Sequence, residues 1–332
     1  MGMDRHAGEQ DTSTATLAAV ARRAGVSPIT VSRVVRLPGM VAPRTRERVE
    51  AAMRDLGYVP NLLAGALASA RSNTVGVLVP TIANSIFADT VQGLSDGLEP
   101  SGASVILAQS GYDALREDRC LVALLSRRPD AVVMVGSPAS AAGSALLRRA
   151  RIPVVETWDL PEAPIDAVAG FDNHAAGAAV ARHFLADGRR CLAFIGGDDP
   201  RAARRWQGFL AAATEAGLEP PRRVILPRDA EAGEAALAGL SGIDAVFSAN
   251  DAHAIGLLAG LRRAGLARRG ARQPVAVVGL GDLEMGRLSD PALSTVRIDG
   301  AAIGRAAARL VMDMTGPRRV DLGFELVLRD SG

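Results

Sequence analysis

Two groups of residues in this 332-residue chain have types and spacings that could do chemistry. The first lies near the start, where Pro28, Ile29, Thr30 and Arg33 project from the N-terminal part of one expected helix. An exposed arginine there can bond two acceptors of one guanine, so the set offers side chains to base edges in a major groove. The second comprises Asp172, Arg205, Asn250 and Asp282, each at the end of an expected strand. Brought to one cleft, their donors and acceptors would hold a hydroxylated small ligand. Ser85, Phe87 and Ser110, after the first two strands, would form the other wall. Each has a plainer reading: Asp and Asn cap helices, and Arg205 adjoins a charge run with Arg201 and Arg204.

Catalytic patterns fail one by one. Gly279-Leu-Gly281-Asp-Leu-Glu-Met-Gly286 has the wrong last spacing for a dinucleotide loop, and a chain without lysine holds no Gly-Lys-Ser/Thr phosphate loop. His6, His174, His183 and His253 lack metal-ligand spacing, no G-x-S-x-G elbow occurs, and Cys120 and Cys191 stand far apart. No metal, cofactor or enzyme activity is expected. Residues 1–15 read as a polar, disordered tail without a signal-peptide core, and no apolar run of about 18 residues occurs, so a soluble cytoplasmic protein is expected.

The elements that must position these residues follow from spacing. Leu17, Val20 and Ala21 recur at helical intervals, Gly25 permits a sharp turn, and Ser27 with Pro28 caps a second helix carrying Val31, Val34 and Val35. This is a helix-turn-helix, although such pairs also occur without DNA. A third helix with Val49, Ala52, Met53 and Leu56 on one face closes an all-α headpiece over residues 16–60. Residues 61–73 form a connector in which Gly65 makes helix marginal, a segment suited to folding only on DNA. Residues 16–73 hold nine arginines against Glu47, Glu50 and Asp55, a balance of +6 in a chain whose total is +2. The positive field therefore belongs to the head.

From Thr74 onward, eight apolar runs between Val75–Val79 and Val275–Val278 alternate with helical stretches such as Phe87–Leu98 and Arg204–Ala216. This texture gives parallel βαβ units in two doubly wound α/β lobes over 74–332. The first lobe is expected at about 74–173 and 300–317 and the second at about 174–298 and 318–332, with a ligand cleft between them.

The head motif Thr16-Leu-x-x-Val-Ala-x-x-Ala-Gly-Val-Ser-x-x-Thr-Val-Ser-Arg-Val closely resembles the lac-repressor family of bacterial transcription regulators. So do Leu56-Gly-Tyr58-Val-Pro60-Asn61, Asp172-Asn173-x-x-Ala-Gly177, Arg205-x-x-Gly208-Phe209 and Ser248-Ala-Asn250-Asp251. Trp158-Asp-Leu160, Gly281-Asp282-Leu-Glu284 and Thr295-Val-Arg-Ile-Asp299 look most like its gluconate-repressor branch. The resemblance implies a homodimeric repressor on a pseudo-palindromic operator, with a hinge helix in the minor groove and a periplasmic-binding-protein-like domain sensing a small effector. It places Thr16, Ser27, Pro28, Ile29, Thr30, Ser32, Arg33 and Asn61 at DNA, with Leu67 as a minor-groove wedge. Asp172, Arg205 and Asn250 match effector ligands, with Ser85, Phe87, Ser110 and Asp282 completing the expected pocket. One departure is informative: Gly281 stands where the family carries a sugar-binding aspartate. A pocket lacking that carboxylate beside Arg205 favours an anion, so a sugar acid such as gluconate is the expected effector. The chain stops at Gly332 without a leucine-heptad tail. A transport protein sharing the two-lobe fold is the competing reading, and an enzyme the third.

Overall fold

The structure, a computed structural model, describes residues 16–59, 72–82, 85–227, 229–266 and 273–332. The tail expected at 1–15, and the connector positions Asn61 and Leu67, lie outside the described residues. The chain divides into two units, Met1–Ser72 and Asn73–Gly332.

The first unit holds three helices, α1 (Leu17–Ala24), α2 (Pro28–Arg36) and α3 (Pro43–Asp55). The Thr16 hydroxyl accepts from the Ala19 N–H at 3.2 Å and Ser27 Oγ from the Thr30 N–H at 3.2 Å, so each of the first two helices starts at a side-chain cap. Gly25, at φ 63°, ends α1 in the left-handed region and returns its N–H to Ala21 and Arg22. Arg48 of α3 donates to the Ala24 carbonyl at 2.7 Å and pins the turn. Val20, Ala21, Ala24, Val31, Val34, Val49 and Ala52 form the core. Leu56, expected on the same face, is exposed instead, because α3 ends at Asp55 and the chain turns at Gly57.

The second unit begins with β1 (Thr74–Val79), α4 (Ala88–Leu98), β2 (Ser104–Gln109), α5 (Ala114–Leu125), β3 (Ala131–Val135), α6 (Ala141–Ala150), β4 (Val154–Thr157) and β5 (Ala167–Gly170). It continues through α7 (Asn173–Ala186), β6 (Leu192–Gly196), α8 (Pro200–Glu215), β7 (Arg222–Ile225), α9 (Ala230–Ala235), β8 (Ala245–Ser248), α10 (Asp251–Arg263), β9 (Ala276–Leu280) and α11 (Glu284–Arg287). Last come β10 (Ser294–Arg297), α12 (Gly300–Met312), β11 (Arg319–Asp321) and β12 (Glu325–Val327).

Two six-stranded sheets result, in the orders β11-β5-β4-β3-β1-β2 and β12-β10-β9-β8-β6-β7. Central strands such as β3 and β6 are buried along their whole length, which is why they read as unbroken apolar runs. Every pairing is parallel except β12 against β10, a departure from the all-parallel expectation. The chain passes between the lobes at 171–172, 298–299 and 322–324. The last crossing comes later than the expected 318, because Val320 pairs with Ala169 and so keeps β11 in the first sheet.

Helices α7 and α8 approach so closely that a Cβ on Gly177 would lie 1.9 Å from the Arg205 carbonyl oxygen, and one on Gly208 1.9 Å from that of His174. The Gly208→Ala substitution should push the pair apart and lower stability by roughly 1–3 kcal/mol, read as a fall in urea midpoint.

Candidate functional site

Two surfaces match the two groups of residues. On the head, Pro28, Ile29 and Arg33 are exposed along α2, with Ile29 70% accessible, while Thr30 and Ser32 are half-buried. Ile29 therefore adds nothing to the core of the head and is open to a partner. Thr16 and Ser27 are exposed, but their hydroxyl oxygens already cap helices. None of the three helices has an acidic residue in its first turn, so their positive N-terminal ends remain uncompensated, as a phosphate-binding surface requires. Arg33 makes no ion pair among the described residues, whereas Arg23 pairs with Asp55 at 3.1 Å.

In the second unit, the loops at the carboxyl ends of the strands enclose a cleft between the lobes. Ile86, Phe87, Tyr112 and Trp158 come from the first lobe, and Asp199, Arg201, Arg205, Ala249, Asn250 and Leu280 from the second. Phe87 and Trp158 meet edge to face at 5.1 Å, and the Trp158 indole N–H donates to Thr90 Oγ1 at 2.9 Å. Tyr112 (φ 62°) and Trp158 (φ 67°) both lie in the left-handed region, strain of the kind concentrated at binding sites.

Arg205 is buried and donates to Asn173 Oδ1 and, at 3.4 Å, to the Ala249 carbonyl, while its Nε has no hydrogen-bond partner. Burial lowers its pKa to about 10 against the pull of Asp199, so it stays charged at neutral pH. Asn173, fully buried, is a residue the sequence reading missed. Its Nδ2 donates to the Trp158 carbonyl at 2.9 Å and to Asp159 Oδ1 at 3.0 Å, joining Arg205 to the first lobe. Asn250 caps α10, accepting from the His253 N–H at 2.9 Å and sharing a 3.0 Å hydrogen bond with His253 Nδ1. An amide has capacity beyond these two bonds, so it can still serve a ligand.

The other expected residues fall elsewhere. Asp172 is exposed and caps α7 by accepting from the Ala175 N–H at 2.9 Å, outside the cleft lining. Ser110 is buried beyond β2 and also outside the lining, and Ser85 opens the short turn that carries Phe87. Asp282 accepts from Arg297 at 2.7 Å and Arg329 at 2.5 Å, with Arg287 at 3.9 Å. Partial burial would raise its carboxyl, but the hydrogen bonds from Arg297 and Arg329 outweigh that and hold it below the usual range. It is a structural acid, and no ligand contact is needed to explain it. Gly281 sits at φ 135°, and a Cβ there would lie 3.2 Å from Ile86 Cδ1. An aspartate at this position would thus be strained and crowded.

Comparison with known proteins gives a consistent picture. Residues 16–61 match the family described as bacterial regulatory proteins, lacI family, and residues 181–331 match a periplasmic binding protein-like domain. The HTH-type transcriptional regulator GntR of Pseudomonas aeruginosa is 37% identical over 96% of this chain and 96% of its own. A crystal structure of a LacI-family transcriptional regulator from Silicibacter pomeroyi superposes with TM-score 0.86 at 32% identity, covering 96% of this chain and 99% of that one. The lac repressor dimer bound to operator and an anti-inducer gives TM-score 0.79 at 25% identity, covering 96% and 99%. No helix among the described residues is long and apolar enough to cross a membrane.

Behind the cleft, Asp251 is buried and accepts from Thr295 Oγ1 and the Leu283 N–H, each at 2.7 Å. Burial nevertheless pushes its carboxyl up to about 6 from 3.8. The folded chain therefore holds this proton more tightly than the unfolded one, and the stabilisation present below pH 3.8 is lost as pH rises to about 6. Urea unfolding of wild type and Asp251→Asn from pH 4 to 7 should show the difference shifting toward the Asn variant by roughly 2–3 kcal/mol.

Proposed function

We propose, for a chain that belongs to the lacI family of bacterial regulatory proteins and so is a DNA-binding transcriptional regulator, that it represses sugar-acid catabolism and leaves its operator when a gluconate-like acid binds. The observation that carries this reading is the buried, charged Arg205 with an unpartnered Nε in the lining of the cleft. A permanently charged planar fork suits a carboxylate, and Asn250 would take hydroxyls. Asp172, as a cap outside the lining, would join only in a different lobe arrangement. The protein acts as a cytoplasmic homodimer whose paired heads read the two halves of a pseudo-palindromic operator, with Asn61 and Leu67 of the connector at its centre.

Release follows from linkage. If the acid favours a lobe arrangement that separates the two connectors, operator affinity falls, and the operator weakens acid binding by the same factor. Calorimetric titration of gluconate should show tight binding to the free protein, weaker binding to the operator complex, and none to Arg205→Ala at equal thermal stability. Tighter binding in the operator complex would make the acid a corepressor.

The head makes an independent prediction. Arg33→Ala should weaken the cognate operator by roughly 1–3 kcal/mol and scrambled DNA far less. Gel shifts on both sequences test this, and equal losses would reduce Arg33 to a phosphate contact.

A further inference from the structure

Arg205 is not the only guanidinium with an unmet donor in the cleft. Arg201, in the first turn of α8, is 9% exposed, and its Nη1 has no hydrogen-bond partner. Its Nε faces Asp199 Oδ1 at 3.6 Å, a long contact to a carboxylate that is itself occupied in capping α8. The guanidinium carbon lies 5.4 Å from the centre of the Phe87 ring, so this second-lobe side chain rests on the first lobe. A buried cation with an orphaned N–H costs free energy, and a ligand oxygen removes that cost.

We infer that Arg201 is a second anion-binding residue that holds the same carboxylate as Arg205 and sets the preference for an acid over a neutral polyol. The inference rests on the sugar-acid reading above and adds to it a residue that the sequence presents only as part of a charge run. The two orphaned N–H groups, Arg201 Nη1 and Arg205 Nε, are the only unmet arginine donors buried among the described residues, and both belong to this cleft. A carboxylate offers two oxygens, one for each, and a neutral polyol leaves both donors poorly served. Because Arg201 also packs on Phe87, an anion held there would sit beside a contact that joins the two lobes.

The test is calorimetric titration of the full chain with gluconate and with sorbitol, its neutral counterpart, for wild type, Arg201→Gln and Arg201→Lys, with thermal melting to check folding. Wild type should prefer gluconate, Arg201→Gln should lose roughly ten- to a hundredfold in gluconate affinity with sorbitol binding unchanged, and Arg201→Lys should recover part of the loss. Equal gluconate affinity in wild type and a folded Arg201→Gln overturns the role of Arg201 and leaves the sugar-acid reading standing. Failure of wild type to prefer gluconate overturns both.

Discussion

Burying a guanidinium between two lobes is the constraint on which this architecture turns. Taken from water without partners, such a charge costs several kcal/mol, so the chain has to bring acceptors to it. Asn173 and the Ala249 carbonyl supply them, and Asn173 is held in turn by Trp158 and Asp159. Arg204 adds an ion pair with Asp159 at 3.2 Å. The glycines that let α7 and α8 touch bring Asn173 at the head of one helix within reach of Arg205 on the other. Packing, polar satisfaction and the binding cleft are thus parts of one arrangement, and the Arg205 Nε left unserved is what a ligand can complete.

The head was legible because its signals are local. A hydroxyl before each of the first two helices, a glycine between them and apolar residues at helical intervals fix both helices without reference to anything distant. The central strands were legible for a similar reason, since burial on both faces leaves an unbroken apolar run. Three of the four edge strands were not: β7 reads Arg-Arg-Val-Ile with most of its side chains exposed, and β11 and β12 are three residues each.

The cleft was half legible. Phe87, Arg205 and Asn250 line it, whereas Ser110, Asp172 and Asp282 do not, and Ser85 opens the turn that carries Phe87. Sequence order fails at Asp172-Asn173 because the helix begins between them, so that the acid faces outward as a cap and the amide turns inward. At Asp282 it fails because the arginines that occupy the carboxylate, Arg297 and Arg329, are brought there by β10 and by the chain after β12. Arg201 was hidden for the opposite reason: a cluster of three arginines looks solvated, and nothing in the pattern says that two of them are buried.

The three crossings between the lobes have a mechanical consequence. Two bodies joined by one strand of chain can swing, twist and slide independently, and each added tether removes some of that freedom. Here the joints at 171–172, 298–299 and 322–324 are each only two or three residues long, so there is little slack for sliding. The remaining soft motion is a rotation that bends all three together, absorbed by a few backbone dihedrals. A cut at any single joint leaves the other two intact, and the two fragments so made are then held to each other only by packing within the lobes.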